Sequence, residues 1–175
     1  MFSKSFYKEI HSIAKLIATC FGIGYFPKIP GTITSLITLV VAWFIITNSD
    51  DFGKIYFALI ILALFFLGWF SSHCVLKSKR NGHDPQFIVI DEVVGQGLVL
   101  LSIPGDRDPL MWIVSFALFR YFDIAKTWPI HLLEKRFKNA FGIMIDDIGA
   151  ALYAILATNI FSALLVFYRA ESFSK

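Results

Sequence analysis

Charged residues are scarce in this chain, and cysteine and histidine are scarcer. Asp, Glu, Lys and Arg make up 17% of the 175 residues and hydrophobic residues make up 57%, which excludes a disordered chain or a coiled coil and does not suit a protein surrounded by water. Cys20 and Cys74 lie far apart and form no Cys-x-x-Cys, so a secreted disulfide scaffold is excluded and two reduced structural thiols are expected. None of the four histidines pairs with another at metal-ligand spacing, which disfavours zinc. The composition predicts a membrane protein.

Long apolar runs are what the sequence has instead. A bilayer core about 30 Å thick asks for about 20 apolar residues per helix, with about 17 as the usual lower limit. Segments 55–76 and 148–168 reach that length, whereas segments 32–47, 88–103 and 110–125 are short for it. We therefore predict an all-α integral membrane protein with about five membrane-embedded helices.

The first 21 residues have a different pattern. Phe6 and Ile10 begin an apolar row at helical spacing, and Lys8 and Lys15 lie on the opposite side. This pattern is typical of an amphipathic helix lying in the membrane interface. Because a lysine interrupts the apolar region and no small-x-small cleavage site follows, a cleaved signal peptide is not expected.

The distribution of positive charge predicts the orientation. Lysine and arginine favour short cytoplasmic loops, and with the N-terminus inside most of the sixteen Lys and Arg residues fall in segments assigned to the cytoplasm. The chain has no internal repeat and no flexible linker, so residues 1–175 are predicted to form one domain. Its helical bundle would occupy about 32–168, and its C-terminus would lie outside.

Acidic residues occur in adjacent pairs at the predicted cytoplasmic ends of the spans. Asp91-Glu92 begins the third span and Asp146-Asp147 the fifth. Either pair could be a solvated helix end, which the macrodipole stabilises by about 0.3 to 1 kcal/mol. Two pairs at one depth could instead supply hard oxygen ligands to magnesium.

A second charged group lies at the end of the fourth span, where Arg120, Asp123 and Lys126 share one helix face. A structural ion pair with a snorkelling lysine would explain it. Alternatively, Arg120 or Lys126 would bind phosphate, and Asp123 would bind a metal ion or a water molecule. Lys28 and Thr32 lie at the N-terminus of the first span, where backbone N–H groups can bind an anion. An ordinary turn would explain this segment equally well.

Four ordered blocks of sequence contain these groups. They are Gly22-x-Gly24 with Pro27-Lys28-x-Pro30-Gly31-Thr32; Asp84-Pro85 with Ile90-Asp91-Glu92-Val93-Val94-Gly95; Phe119-Arg120-x-Phe122-Asp123-Ile124-x-Lys126 with Pro129-Ile130; and Gly142-Ile143-Met144-x-Asp146-Asp147. Together they resemble the bacterial phosphatidylglycerophosphatase A family over about residues 22–153. Thr34, Thr127 and Ala151 depart from the residues usual in that family and put local packing in doubt more than the chemistry.

The resemblance implies a magnesium-dependent membrane phosphatase of phospholipid biosynthesis. It would use metal-activated water to hydrolyse phosphatidylglycerophosphate to phosphatidylglycerol and inorganic phosphate. The reaction would take place at the cytoplasmic face of the bacterial inner membrane. No nucleic acid partner is expected. On the residues above, we expect catalytic roles for Asp91, Glu92, Asp123, Asp146 and Asp147, substrate binding by Lys28, Thr32, Arg120 and Lys126, and magnesium ligation by Asp84, Asp91, Glu92, Asp146 and Asp147.

Other classes of membrane protein stay open at this point. A transporter or channel would be expected to place charges near the membrane midplane, whereas these lie at one end of the spans. A lipid headgroup phosphotransferase would also use acidic residues on magnesium, but its Asp-Gly…Ala-Arg…Gly…Asp…Asp spacing does not occur here. A purely structural subunit could carry the charges for docking and would lose no catalytic activity if Asp91 or Asp146 became Asn.

Overall fold

The computed structural model describes residues 4–49, 52–78, 86–103, 108–128 and 139–173, together with residues 130 and 137. These residues form six α-helices and one short 3-10 helix, and they contain no strand. In chain order the elements are α1 (Lys4–Ala18), the 3-10 helix (Ile23–Tyr25), α2 (Pro30–Asn48), α3 (Gly53–Ser78), α4 (Ile90–Leu101), α5 (Pro109–Ala125) and α6 (Ala140–Phe173). The all-α prediction is confirmed.

Three of the described helices are long and apolar enough to cross a membrane, namely α2, α3 over Gly53–Lys77 and α6 over Ala140–Ser172. The predicted count of about five spans is not confirmed. α4 has 12 residues and rises only about 18 Å, and α5 has 17 residues. An apolar run as short as α4 is more typical of a helix inside a protein core.

α4 is that core helix. It packs against α2, α3, α5 and α6, and Val94, Val99 and Leu100 along it are buried. The approach of α3 is so close that a Cβ on Gly97 would overlap the Ile61 side chain. The apolar character of segment 88–103 therefore reflects burial among helices, which hydropathy does not distinguish from burial in lipid.

Ion pairs join α5 and α6 at both ends and show that these two helices run antiparallel. Asp108, which caps the start of α5, lies 3.4 Å from Arg169 near the end of α6. At the opposite end, Lys126 Nζ after α5 lies 2.8 Å from Asp146 Oδ2. The end of α5 and the first part of α6 therefore meet at one end of the bundle.

The start of α4 reaches the same end and is attached there to α1. Ala14 and Ala18 of α1 are buried on the side that packs against α3, and the backbone N–H of Val89 donates to the Ala18 carbonyl at 2.9 Å. Tyr7 and Ile13 remain exposed on α1. The predicted amphipathic segment is thus a helix, and its small residues fix it to the bundle beside the N-terminus of α4.

Candidate active site

Three carboxylates from two helices converge at this end of the bundle. Asp91, Glu92 and Asp147 each offer an oxygen atom, and these oxygens all lie within 4.8 Å of one another. Asp91 and Asp147 are only 8% and 5% exposed. Buried like charges at this separation repel one another strongly in a medium of low polarity. The cluster therefore requires positive charge nearby.

The first acidic pair occupies a helix N-terminus, as the sequence predicts. Asp91 and Glu92 lie in the first turn of α4, where the unpaired backbone N–H groups and the macrodipole stabilise negative charge. Burial is the main cause that raises the pKa of Glu92 above its usual value. A cation beside the carboxylate would oppose that shift.

The second acidic pair does not begin a helix, which corrects the predicted start of the fifth span at residue 148. α6 begins at Ala140, where the side-chain oxygen of Asn139 accepts from the backbone N–H of Gly142 at 2.9 Å. Asp146 and Asp147 lie about two turns inside the helix. Stabilisation by the macrodipole falls off within the first turn, so it does not explain this pair.

The two members of the second pair face different groups. Successive residues of an α-helix point about 100° apart. Asp147 joins the carboxylates of α4, whereas Asp146 contacts the Lys126 ammonium at 2.8 Å. The structure therefore separates two residues to which the sequence analysis gave the same role.

Positive charge reaches the cluster from the end of α5. Arg120 Nη1 lies 2.5 Å from Asp123 Oδ2, and both side chains are 13% exposed. Asp123 also interacts electrostatically with Glu92 and Asp147. The predicted (i, i+3) ion pair thus forms and at the same time contributes to the wall of the acidic cluster.

Gly31 in the first turn of α2 lets that helix approach the acidic cluster. A Cβ at this position would overlap the Glu92 carboxylate and lie 3.2 Å from Arg120 Nη1. Thr32 is half-buried beside it, and Lys28 is exposed ahead of the helix with a left-handed backbone, φ 80°. Of the groups predicted for the substrate, the structure brings Arg120 and Lys126 to acidic partners and leaves Lys28 exposed. Asp84 lies outside the described residues.

The donor set suits a hard divalent cation. Glu92 Oε2 and Asp147 Oδ2 are buried and accept no hydrogen bond from any residue that the structure describes. A buried charged oxygen without a partner is costly, and coordination of a cation would remove that cost. The three ligands are carboxylates, the type that magnesium takes, and no histidine or cysteine belongs to the described cluster.

Of two polar residues near the site, one escaped the sequence analysis and the other, Cys20, was predicted only as a reduced structural thiol, which it is. Gln96 lies four residues after Glu92, on the same side of α4, and its buried amide has no hydrogen-bond partner among the described residues. The Cys20 thiol lies 3.7 Å from the Val89 carbonyl, and burial followed by the charge of Glu92 raises the pKa of that thiol to about 12. An amide inside an apolar run is a signal for Gln96, whereas the sequence alone gives none for Cys20.

Comparison with known proteins finds relatives that are named as lipid phosphatases. Residues 16–162 match the family described as phosphatidylglycerophosphatase A. A phosphatidylglycerophosphatase A of Haemophilus influenzae is 37% identical over 81% of this chain and 83% of the relative, and one of Escherichia coli is 32% identical over 77% of this chain and 75% of the relative. A provisionally named phosphatidylinositol-3-phosphatase of Bacteroides thetaiotaomicron is 36% identical over 81% of this chain and 88% of the relative. No solved structure matches the chain.

Proposed function

The chain belongs to the phosphatidylglycerophosphatase A family, and from that premise we propose that it hydrolyses phosphatidylglycerophosphate to phosphatidylglycerol and inorganic phosphate. The chain is then a phosphoric monoester hydrolase acting on a membrane lipid. The observation that carries this proposal is the convergence of Asp91, Glu92 and Asp147 beside Arg120. Acidic ligands with an adjacent guanidinium suit a metal-dependent reaction of a phosphate ester.

We propose that Asp91, Glu92 and Asp147 hold magnesium. When bound, the ion would offset negative charge on the phosphoryl group and make a water molecule more acidic. We leave Asp146 out of the proposed ligand set because its Oδ2 lies 2.8 Å from Lys126 Nζ, and Asp84 stays a predicted ligand outside the described residues. We assign Asp146 the positioning of that lysine.

Arg120 and Lys126 are the proposed phosphate-binding cations. Arginine matches two phosphate oxygens through its planar fork, whereas lysine acts as a compact charge. Asp123 and Asp146 each hold one of these cations at short range, which fixes the cations before the substrate arrives. Lys28 and the N-terminal turn of α2 at Thr32 would attract the phosphate on its way to the site.

The reaction then needs one group to accept a proton and no covalent nucleophile. Water attacks phosphorus and gives a proton to that group, the bond from phosphorus to the glycerol oxygen breaks, and the glycerol oxygen then takes up the same proton. We propose Asp123 as the group that takes the proton from the attacking water, because Arg120 holds its carboxylate and it is close enough to Glu92 and Asp147 to interact with both.

The proposed site lies at the cytoplasmic face of the inner membrane, with the N-terminus inside. Its residues come from one end of a bundle that contains three helices long enough to cross a membrane, and most lysines and arginines fall on that side in the predicted topology. Acyl chains would stay in lipid while the headgroup meets the polar residues. The acidic cluster lies at one end of the bundle and not near its middle, which does not favour a transporter or a channel.

Phosphate release from phosphatidylglycerophosphate tests the proposal. The purified full chain in detergent should release phosphate with magnesium and stop when EDTA removes it, and Glu92→Gln should abolish release without loss of folded protein. Glu171→Gln is the matched control, since this carboxylate is exposed near the far end of α6. No release from any folded preparation would remove the phosphatase assignment, and release unaffected by EDTA would remove magnesium.

A further inference from the structure

An apolar groove of about 200 Å³ runs between α2 and α3 next to the candidate active site. Its walls include Thr34, Ile37 and Val41 of α2, Ile60 and Leu64 of α3, and Val93 of α4. We call it the α2–α3 groove. We propose that it binds the first part of one acyl chain of the phospholipid substrate. This inference rests on the proposed function, because it concerns the apolar end of the lipid whose phosphate is hydrolysed.

The hydroxyl groups at the groove are already engaged within the helix. The Thr34 hydroxyl donates to the Pro30 carbonyl at 3.0 Å, and the Thr38 hydroxyl donates to the Thr34 carbonyl at 2.9 Å. Both threonines therefore offer their methyl groups rather than polar atoms. A surface of this kind gives a headgroup or a water molecule nothing to bind, but it fits methylene groups.

One end of the groove lies close to the acidic cluster, since Cys20, which lines it, is near enough to Glu92 to interact with its charge. Val93 directly follows Glu92, and Thr34 lies one turn after Gly31, the residue in contact with that carboxylate. From Thr34 to Val41, α2 rises about 10 Å away from the cluster. A ligand that fills both the site and the groove must have a phosphate at one end and a hydrocarbon chain at the other.

The long side of the groove is open. Ile37, Val41 and Ile60 are 42%, 47% and 41% exposed, and they belong to two helices that are long and apolar enough to cross the membrane. The volume of about 200 Å³ is below the roughly 300 Å³ at which pockets for small molecules begin. The groove therefore holds the first part of one chain, and the remainder stays in the bilayer.

The expected benefit is alignment of the lipid rather than tight binding. A hydrocarbon chain gains little by leaving lipid for an equally apolar protein surface. A chain held along α2 would instead fix the depth and direction from which the phosphate enters the site, and such positioning contributes to the rate. Blocking the groove should therefore act on substrates that have chains and spare those without.

Bulky substitutions at the open side test this inference. Ile37→Trp and Val41→Trp narrow the groove, and Leu36→Trp and Val40→Trp are matched controls because these neighbours are also exposed on α2 but do not line it. With dioleoyl phosphatidylglycerophosphate, kcat/KM should fall about tenfold in the first two variants only. With the same headgroup lacking acyl chains, all four should stay near the parent. Equal losses on both substrates, or no loss on either, would overturn the proposal.

A second measurement separates this inference from the proposed function. Phosphatidylglycerophosphate carrying a diazirine near the start of one acyl chain is irradiated with the full-length parent chain, and the labelled peptides are identified. Labels that concentrate at residues of the groove and disappear with excess unlabelled substrate would support the groove. If the same preparation releases no phosphate, only the phosphatase assignment fails. Labels spread evenly over all exposed apolar residues would contradict the groove while leaving hydrolysis intact.

Discussion

The two acidic pairs of this protein look alike in sequence and differ in structure. Asp91-Glu92 lies in the first turn of a short helix at the centre of the bundle, and both carboxylates face the same space. Asp146-Asp147 lies inside a helix of 34 residues, and its two carboxylates point to different partners. The first pair brings two proposed ligands to one place, whereas the second divides into a proposed ligand and a partner for a cation.

In this protein the position of each acidic pair within its helix, and not adjacency in sequence, accounts for the different surroundings of the carboxylates. At a helix end, free backbone N–H groups and the macrodipole stabilise neighbouring charges together. Inside a helix there is no such support, so each buried carboxylate needs a partner of its own. Lys126 is the partner of Asp146 in an ion pair, and we propose that magnesium is the partner of Asp147.

The largest expected effect separates the members of the second pair. Asp147→Asn should lower kcat/KM about 10³-fold, because it removes a proposed metal ligand, whereas Asp146→Asn should cost only about tenfold through poorer placement of Lys126. Phosphate release at a series of magnesium concentrations measures both, with folding checked by circular dichroism. Equal losses would mean that the pair acts as a unit after all and would return Asp146 to the ligand set.

Gly31→Ala should disturb the first pair from outside α4. The added methyl group would overlap the Glu92 carboxylate, which is the end of a flexible side chain, so the side chain and not the backbone should move. We expect a loss of activity of about 10- to 100-fold with little change in thermal stability. Gly97→Ala is the control, since its methyl group would overlap Ile61 in the core and should lower stability more than activity per folded molecule.

Lys126→Met should destabilise the protein by removing the cation that lies 2.8 Å from the buried Asp146 carboxylate. Because Lys126 is itself 34% exposed, we expect a modest loss of about 1 to 2 kcal/mol in the free energy of unfolding. Most of that stability should return when Asp146→Asn is added. Unfolding in mixed detergent micelles measures the stability of both single variants and of the double variant. Arg169→Met is the control. Because the side chains of Arg169 and Asp108 are 59% and 33% exposed, it should cost no more than about 0.5 kcal/mol. A double variant as unstable as the single one would refute this account.

The smallest expected effect uses Cys20 to detect the charge of the first pair. Because burial raises the pKa of this thiol to about 12 and only the thiolate reacts, alkylation at pH 8 should be about 10³-fold slower than for an ordinary cysteine. Glu92→Gln removes the weaker cause and should speed the reaction only about twofold. The rate of iodoacetamide labelling in a Cys74→Ser background measures this, and reaction at the speed of a free thiol would contradict the burial.

Sequence alone predicts the helical class and the Arg120–Asp123 ion pair, because hydropathy and (i, i+3) spacing are local signals. It does not show that α4 is a core helix, since an apolar run reads the same in lipid and in protein. The second acidic pair also led to a predicted helix start at residue 148. In the structure Asn139 caps α6, which begins at Ala140. Which member of that pair meets Lys126 depends on how α5 and α6 pack, and no local pattern contains that information.

The length of α6 sets a geometrical limit on the whole enzyme. From Asp147 to Phe173 the helix rises about 39 Å, which exceeds a hydrocarbon layer of about 30 Å. If α6 stands upright with Phe173 at the opposite boundary of the hydrocarbon layer, Asp147 lies about 9 Å outside the near boundary. Tilting the helix would bring Asp147 closer to that near boundary. An α6 placed in this way would hold Asp147 at a fixed distance from the opposite surface, so membranes of different thickness should present the phosphate ester at different heights relative to Asp147.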